Sequence, residues 1–233
     1  MQQITGPRPL LDIVKTATDS LMLPLRAPIL VAPFFLTTLL AAALLLSVII
    51  AIVIDPPNAS EYALQHITNI VTAAVAIGLA SVLAAEMTVE LTARAELGRE
   101  MGLALSFSHV LRRFPITLGA TAVVAVGVAV GTILLVIPGL IVMFRWMLAP
   151  TAVLLGGRGV RKALALSWQL TGAYFWPFTG LLLLVAVGAG VLSAVLAFIP
   201  VIGQLVAAWL SFAWAAIAMT LAYLRLGGPA DLS

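Results

Sequence analysis

The sequence predicts an all-α fold, a polytopic membrane bundle of six transmembrane helices with a cytoplasmic amphipathic helix ahead of each hairpin. Three observations carry that expectation. Hydrophobic residues form 63% of the 233-residue chain, where soluble domains hold about 45–50%. Charged residues form 9%, where about 25% is ordinary. No Asp, Glu, Lys or Arg occurs between Ala163 and Leu224, a stretch too long for a globular core and suited to a bilayer.

A span needs roughly 17–25 mainly apolar residues. Six segments meet or approach that requirement: 29–54, 67–85, 116–137, 140–155, 178–199 and 201–224. Asp55-Pro56-Pro57-Asn58 ends the first, because proline has no amide donor and cannot continue a helix. Pro138-Gly139 and Pro200 divide the two later pairs into antiparallel hairpins. The 140–155 segment is short and carries Arg145. Asp12, Lys15, Asp19 and Arg26 interrupt the N-terminal region, so no signal-peptide h-region is expected there.

The charges agree with this division. Arg8, Lys15 and Arg26 precede the first span, Arg94, Arg99, Arg112 and Arg113 separate the second from the third, Arg158, Arg161 and Lys162 separate the fourth from the fifth, and Arg225 follows the sixth. The alternate loops hold no Lys or Arg, and of the twelve basic residues only Arg145 lies inside a span. The positive-inside rule then puts both termini in the cytoplasm, with the chain in the cell inner membrane. The net charge of +3 and pI near 9.8 follow from that bias, and no nucleic-acid partner is expected. Without cysteine there is no disulfide, thiolate nucleophile or Cys-ligated metal.

The chain reads as one integral-membrane domain over 1–233, with repeated units at about 8–100, 101–157 and 158–226. Ala104-Leu105-Ser106-Phe107 is followed by Pro115 and Pro138, and Ala165-Leu166-Ser167-Trp168 by Pro177 and Pro200. The proline spacing is the same in both, with one extra residue between Ser167 and Pro177. Leu103, Phe107, Val110, Leu111 and Phe114 share one helical face, opposite Ser106, His109, Arg112 and Arg113. Leu164, Trp168 and Phe175 hold corresponding places in the later unit. Leu10, Leu11, Val14 and Leu21 give a third version, against Asp12, Lys15, Thr16 and Asp19. Such helices either lie in the headgroup plane, with Phe107, Phe114, Trp168 and Phe175 as the membrane face, or pack beneath the bundle as connectors.

These features resemble the membrane domain fused to some bacterial glycerophosphoryl diester phosphodiesterases, a domain also found in stand-alone six-span proteins. The likeness rests on Gly98, the helix from Gly102, Pro138-Gly139-Leu140 with Arg145-Trp146 and Pro150, and Ala165-Leu166-Ser167-Trp168 with Leu170-Thr171-Gly172. It covers about residues 84–177. The resemblance implies six helices and a tie to lipid or envelope physiology. The phosphodiesterase activity of the fused relatives resides in a separate soluble barrel, so the resemblance does not extend to it.

Three residues stand out as intramembrane contacts for lipid or substrate: Arg145, Glu86 and Trp146. An arginine in a span costs a few kcal/mol on insertion scales, and Arg145 lies about 9 Å along the helix from Gly139. It snorkels or caps carbonyls freed at Pro138, serves as counter-charge to a lipid phosphate or anionic substrate, or pairs with Asp55 or Glu61. Glu86, Glu90 and Arg94 recur every fourth residue. Glu86 reads as a solvated helix end, with proton-coupled transport as the sharper alternative. His66 and His109 fall in loops on opposite sides, so no metal site is expected. Trp168, Trp176 and most other tryptophans fit an interfacial belt. Gly127 and Gly131 form a small-xxx-small pattern that brings helices close.

No nucleophile elbow, phosphate loop or His-Glu metal motif occurs, and Gly156-Gly157-Arg158-Gly159 is a turn. The expected function is therefore non-enzymatic and without cofactor: a membrane-organising or lipid-interacting protein, or the membrane subunit of a complex. Its partners would be anionic headgroups and a membrane or cytoplasmic protein. The alternative is a small transporter or lipid-translocating protein using Arg145.

Overall fold

The structure is a computed structural model that describes residues 13–37, 39, 43, 46–47, 62–99, 102–199 and 202–230. Among these residues every regular element is helical. The helices are α1 (Ile13–Arg26), α2 (Tyr62–Glu96), α3 (Leu103–Leu134), α4 (Val136–Trp146), α5 (Ala149–Gly156), α6 (Val160–Ala173), α7 (Phe175–Leu196) and α8 (Ile202–Arg225). A 3-10 turn, Pro28–Leu30, follows α1, and residues 32–37 are helical beyond it.

Five segments are long and apolar enough to cross a membrane: Thr68–Glu96, Leu103–Ile133, Ile137–Gly156, Phe175–Leu196 and Gly203–Arg225. This is a membrane protein. Half of the expected first span, 29–54, lies outside the described residues. The third and fifth segments form the centre, with 44% of their apolar windows buried against 11% for α7.

Several boundaries differ from expectation. The second helix starts at Tyr62, ahead of the expected span, and continues past residue 85 through Glu86, Glu90 and Arg94, as their spacing implied, for 35 residues in all. His66 and His109 lie within α2 and α3 rather than in loops. The amphipathic stretch from Leu103 is not a separate helix, because it continues through Pro115 into one 32-residue helix. The first hairpin breaks at Leu135, which is extended (φ −168°, ψ 140°), and not at Pro138-Gly139. Pro138 then sits in the first turn of α4, where the amide it lacks would have no helical partner anyway.

Small residues set the close approaches. A Cβ on Gly131 would meet the Gly139 backbone at 2.8 Å, and one on Gly127 would strike the Trp146 ring. Trp146 thus serves as packing between α3 and α4. The 140–155 segment bends at Met147-Leu148 into α4 and α5, because Pro150 has no N–H to give the preceding turn. Gly98 (φ 65°) and Gly227 (φ 84°) end α2 and α8 in the left-handed region. There Arg99 N–H donates to Arg94 O (2.9 Å) and Gly228 N–H to Tyr223 O (2.9 Å), the pattern of a Schellman stop.

Packing is densest at the end that gathers the basic residues. The last turns of α8, from Ile217 to Leu224, are buried against α2, α1 and α5. Leu30 joins Leu91, Ile217 and Leu221 in a small core, and the Thr88 hydroxyl donates to Leu30 O at 3.0 Å. Arg225 ties α8 to α1 through Thr16 (2.5 Å) and the Asp19 carboxylate. Trp214 Nε1 donates to Ser20 Oγ at 2.8 Å.

Candidate functional site

Two polar sites lie within this apolar bundle. The first is a seam between α2 and α3. Glu86, Glu90 and Arg94 recur at helical spacing on α2, and Ser106, His109 and Thr117 face them from α3; all six are buried. Glu90 Oε1 accepts from Arg94 Nε at 2.9 Å and lies 2.7 Å from His109 Nδ1. Arg113, further along α3, donates to Leu154 O of α5 at 2.6 Å.

Glu86 is not the solvated helix end expected of it, being only 6% exposed. Thr117 is a polar neighbour across the interface. Its hydroxyl, however, bonds the backbone carbonyls of Phe114 (3.0 Å) and Arg113 (3.2 Å), and both Glu86 oxygens are left without a hydrogen-bond partner. Glu90 Oε2, Ser106 Oγ and His109 Nε2 share that condition. Orphaned buried polar atoms normally find a protein or water partner, so this seam is chemically unfinished. Among the described residues no group of three His, Cys, Asp or Glu is placed to hold a metal.

The second site is built around Arg145 at the end of α4. The chain bend beyond it frees its carbonyl, which accepts from Ser167 Oγ at 2.7 Å. Thr171 Oγ1 reaches the same oxygen at 3.4 Å. The guanidinium lies on α6: Nη1 donates to Trp168 O at 3.3 Å, and Cζ sits 5.0 Å from the Trp168 ring centroid, within cation–π range. Gly172 leaves the room, since a Cβ there would collide with Nη1. No carboxylate pairs with Arg145 among the described residues, and Asp55 and Glu61 lie outside them. The carbonyls freed at the hairpin are not its target, because Arg145 bonds α6 instead.

The amphipathic segments turn an unexpected face inward. Ser106 and His109, expected opposite the apolar face, are buried together with Val110, while Leu103, Phe107 and Leu111 are exposed. In α6 the buried residues are Ala163, Ser167 and Thr171. Phe107 is 43% exposed and Trp168 44%, and Phe175 is exposed to a similar degree; Phe114 is half-buried. The physical reason is that oil outside reverses the ordinary sorting, since polar side chains find their partners only within the bundle. Sequence periodicity identified the faces but not which one turns in. Phe144 joins α4 to α7, with ring centroids 6.1 Å from Phe175 and 6.4 Å from Phe178.

No family model, no curated protein and no solved structure matches the chain.

Proposed function

We propose that this chain is a non-enzymatic, multi-pass inner-membrane protein, both termini cytoplasmic, whose basic end engages anionic lipid to organise the bilayer or a complex within it. One observation carries the reading. At the basic end Ser106 and His109 of α3 and Ser167 and Thr171 of α6 are turned inward, leaving Phe107, Leu111, Trp168 and Trp176 exposed beside exposed Arg112, Arg161 and Lys162. An apolar surface edged with cations suits the boundary between acyl chains and anionic headgroups. The resemblance to a phosphodiesterase-associated membrane domain points the same way, toward lipid physiology.

The test is reconstitution into phosphatidylcholine vesicles with and without phosphatidylglycerol. Thermal stability should rise with anionic lipid, and the triple variant Arg112→Glu, Arg161→Glu, Lys162→Glu should lose the increase. Equal midpoints in both lipids for the unaltered protein would sink the reading. Phe107→Glu should weaken the same response by moving an exposed ring out of the apolar layer.

Arg145, with no acidic partner among the described residues, favours a second reading, a small transporter or lipid-translocating protein. Flux of an anionic lipid or solute that survives Arg145→Ala unchanged would remove it.

A further inference from the structure

Glu86 lies inside the span Thr68–Glu96, about 15 Å of helix from Glu96 at 1.5 Å per residue. It is 6% exposed, and both carboxylate oxygens lack a hydrogen-bond partner. A buried anion persists only where a cation or several donors hold it, and an ionisable group inside a span marks function more often than packing.

The cations around Glu86 are engaged elsewhere. One turn along α2, Arg94 Nε donates to Glu90 Oε1 at 2.9 Å, and His109 Nδ1 lies 2.7 Å from that same oxygen. Arg113 of α3 donates to Leu154 O. Three other elements pack on α2: α5, α8 and the turn Pro28–Leu30. The turn and α5 contain no ionisable side chain. On α8, Tyr223 bonds Pro229 O and Arg225 bonds Thr16 and Asp19.

The neighbour from α3 identifies what is missing. Thr117 stands beside Glu86, but its hydrogen is directed to the carbonyls of Phe114 and Arg113. A hydroxyl has one hydrogen and two lone pairs, so Thr117 has only lone pairs left for Glu86. Lone pairs repel a carboxylate and accept the O–H of a carboxylic acid. One proton on Glu86 therefore removes a buried charge and turns a repulsive contact into a hydrogen bond. A metal ion fits less well: Ca²⁺ takes about 6–8 oxygens, and among the described residues no three His, Cys, Asp or Glu are placed to hold one.

We propose that Glu86 is a proton-binding site within the bundle, its bound proton lying between the carboxyl oxygen and Thr117 Oγ. The site is separate from the basic-end lipid surface and stands or falls without it. An unfolded glutamate is ionised at neutral pH, so folding takes up a proton here, and this group's contribution to stability falls as pH rises.

Infrared spectra of the purified full chain in neutral detergent, with ¹³C-labelled glutamate to mark its carbonyls, read the proton directly. A protonated-carboxyl C=O band should be present at neutral pH and disappear reversibly as pH rises. Glu86→Gln, which offers Thr117 an N–H in place of the O–H, should fold and lack the band. Its unfolding midpoint should also fall less with rising pH than that of the unaltered chain. Thr117→Val should shift the band's frequency, because the O–H loses its acceptor. A missing band at neutral pH, or one that Glu86→Gln leaves intact, overturns the site. So do equal pH slopes in the two chains, and a band erased at constant pH by sodium or calcium chloride, which would make this a metal-cation site. An unshifted band in Thr117→Val overturns the pairing with Thr117.

Discussion

In α3 the run Ala104-Leu105-Ser106-Phe107 leads without interruption into a 32-residue helix that holds Pro115 in its interior. In the later unit Ala165-Leu166-Ser167-Trp168 belongs to a helix that ends at Ala173, and Tyr174 (φ −124°, ψ 40°) separates it from α7. The extra residue between Ser167 and Pro177 falls in the stretch where that break occurs. Pro177 therefore enters the first turn of a new helix, where its missing donor costs nothing, and Phe178 N–H begins the ladder on Tyr174 O at 3.0 Å. Pro115 has no such position and removes a bond to the carbonyl of Leu111. One residue of spacing thus separates a helix that bears a defect from a pair that avoids it. The buried faces differ as well: α3 meets α2 through the 2.7 Å contact of His109 with Glu90, and α6 meets α4 through hydroxyls on the freed carbonyl of Arg145.

The largest test of that difference is removal of the seam's anion. Glu90→Ala leaves Arg94 and His109 buried without their acceptor, and breaking a buried pair this way costs about 3–5 kcal/mol. Leu170→Ala, at the α6 position matching His109, removes only part-buried apolar surface and should cost less. Denaturation in mild detergent would compare them, and equal losses would mean the seam does not hold α3. Next comes the proline pair. Pro115→Ala should stabilise the protein by up to about 3 kcal/mol by restoring an interior donor, while Pro177→Ala should leave the unfolding midpoint nearly unchanged. A reversed order would place the helix break at the wrong proline.

The smallest effect separates the two matched serines. Ser167→Ala loses the 2.7 Å bond to Arg145 O and should cost about 1 kcal/mol. Ser106→Ala removes a buried hydroxyl that has no partner and should be neutral or slightly stabilising. Their difference in midpoint is the measurement, and a costly Ser106→Ala would point to a bound water or ligand completing the seam.

Much of the bundle was legible in the sequence, and the failures have definite causes. Hydropathy located the later spans because transfer into oil is nearly a sum over residues. The corner at Leu135 was missed because Pro138-Gly139 looks like the stronger breaker, yet proline is tolerated in a helix's first turn. The fourfold spacing of Glu86, Glu90 and Arg94 marked one face of α2. That the face is buried follows from α3 packing against it, and nothing local encodes that contact. Arg145 was conspicuous as a lone charge, whereas its partner Trp168 is 23 residues away on another helix.

The sequence by itself determined that oil surrounds most of this polypeptide, where its hydrophobic helices run, and which segments carry its positive charge. Those properties depend on residue composition within short windows. Tertiary structure alone decided that Ser106, His109, Ser167 and Thr171 turn inward, that Glu90 meets His109 across two helices, and that a hollow opens between α4, α7 and α8. Each depends on which helices become neighbours, and hydrogen bonds and close packing act only over the few ångströms that such neighbours share.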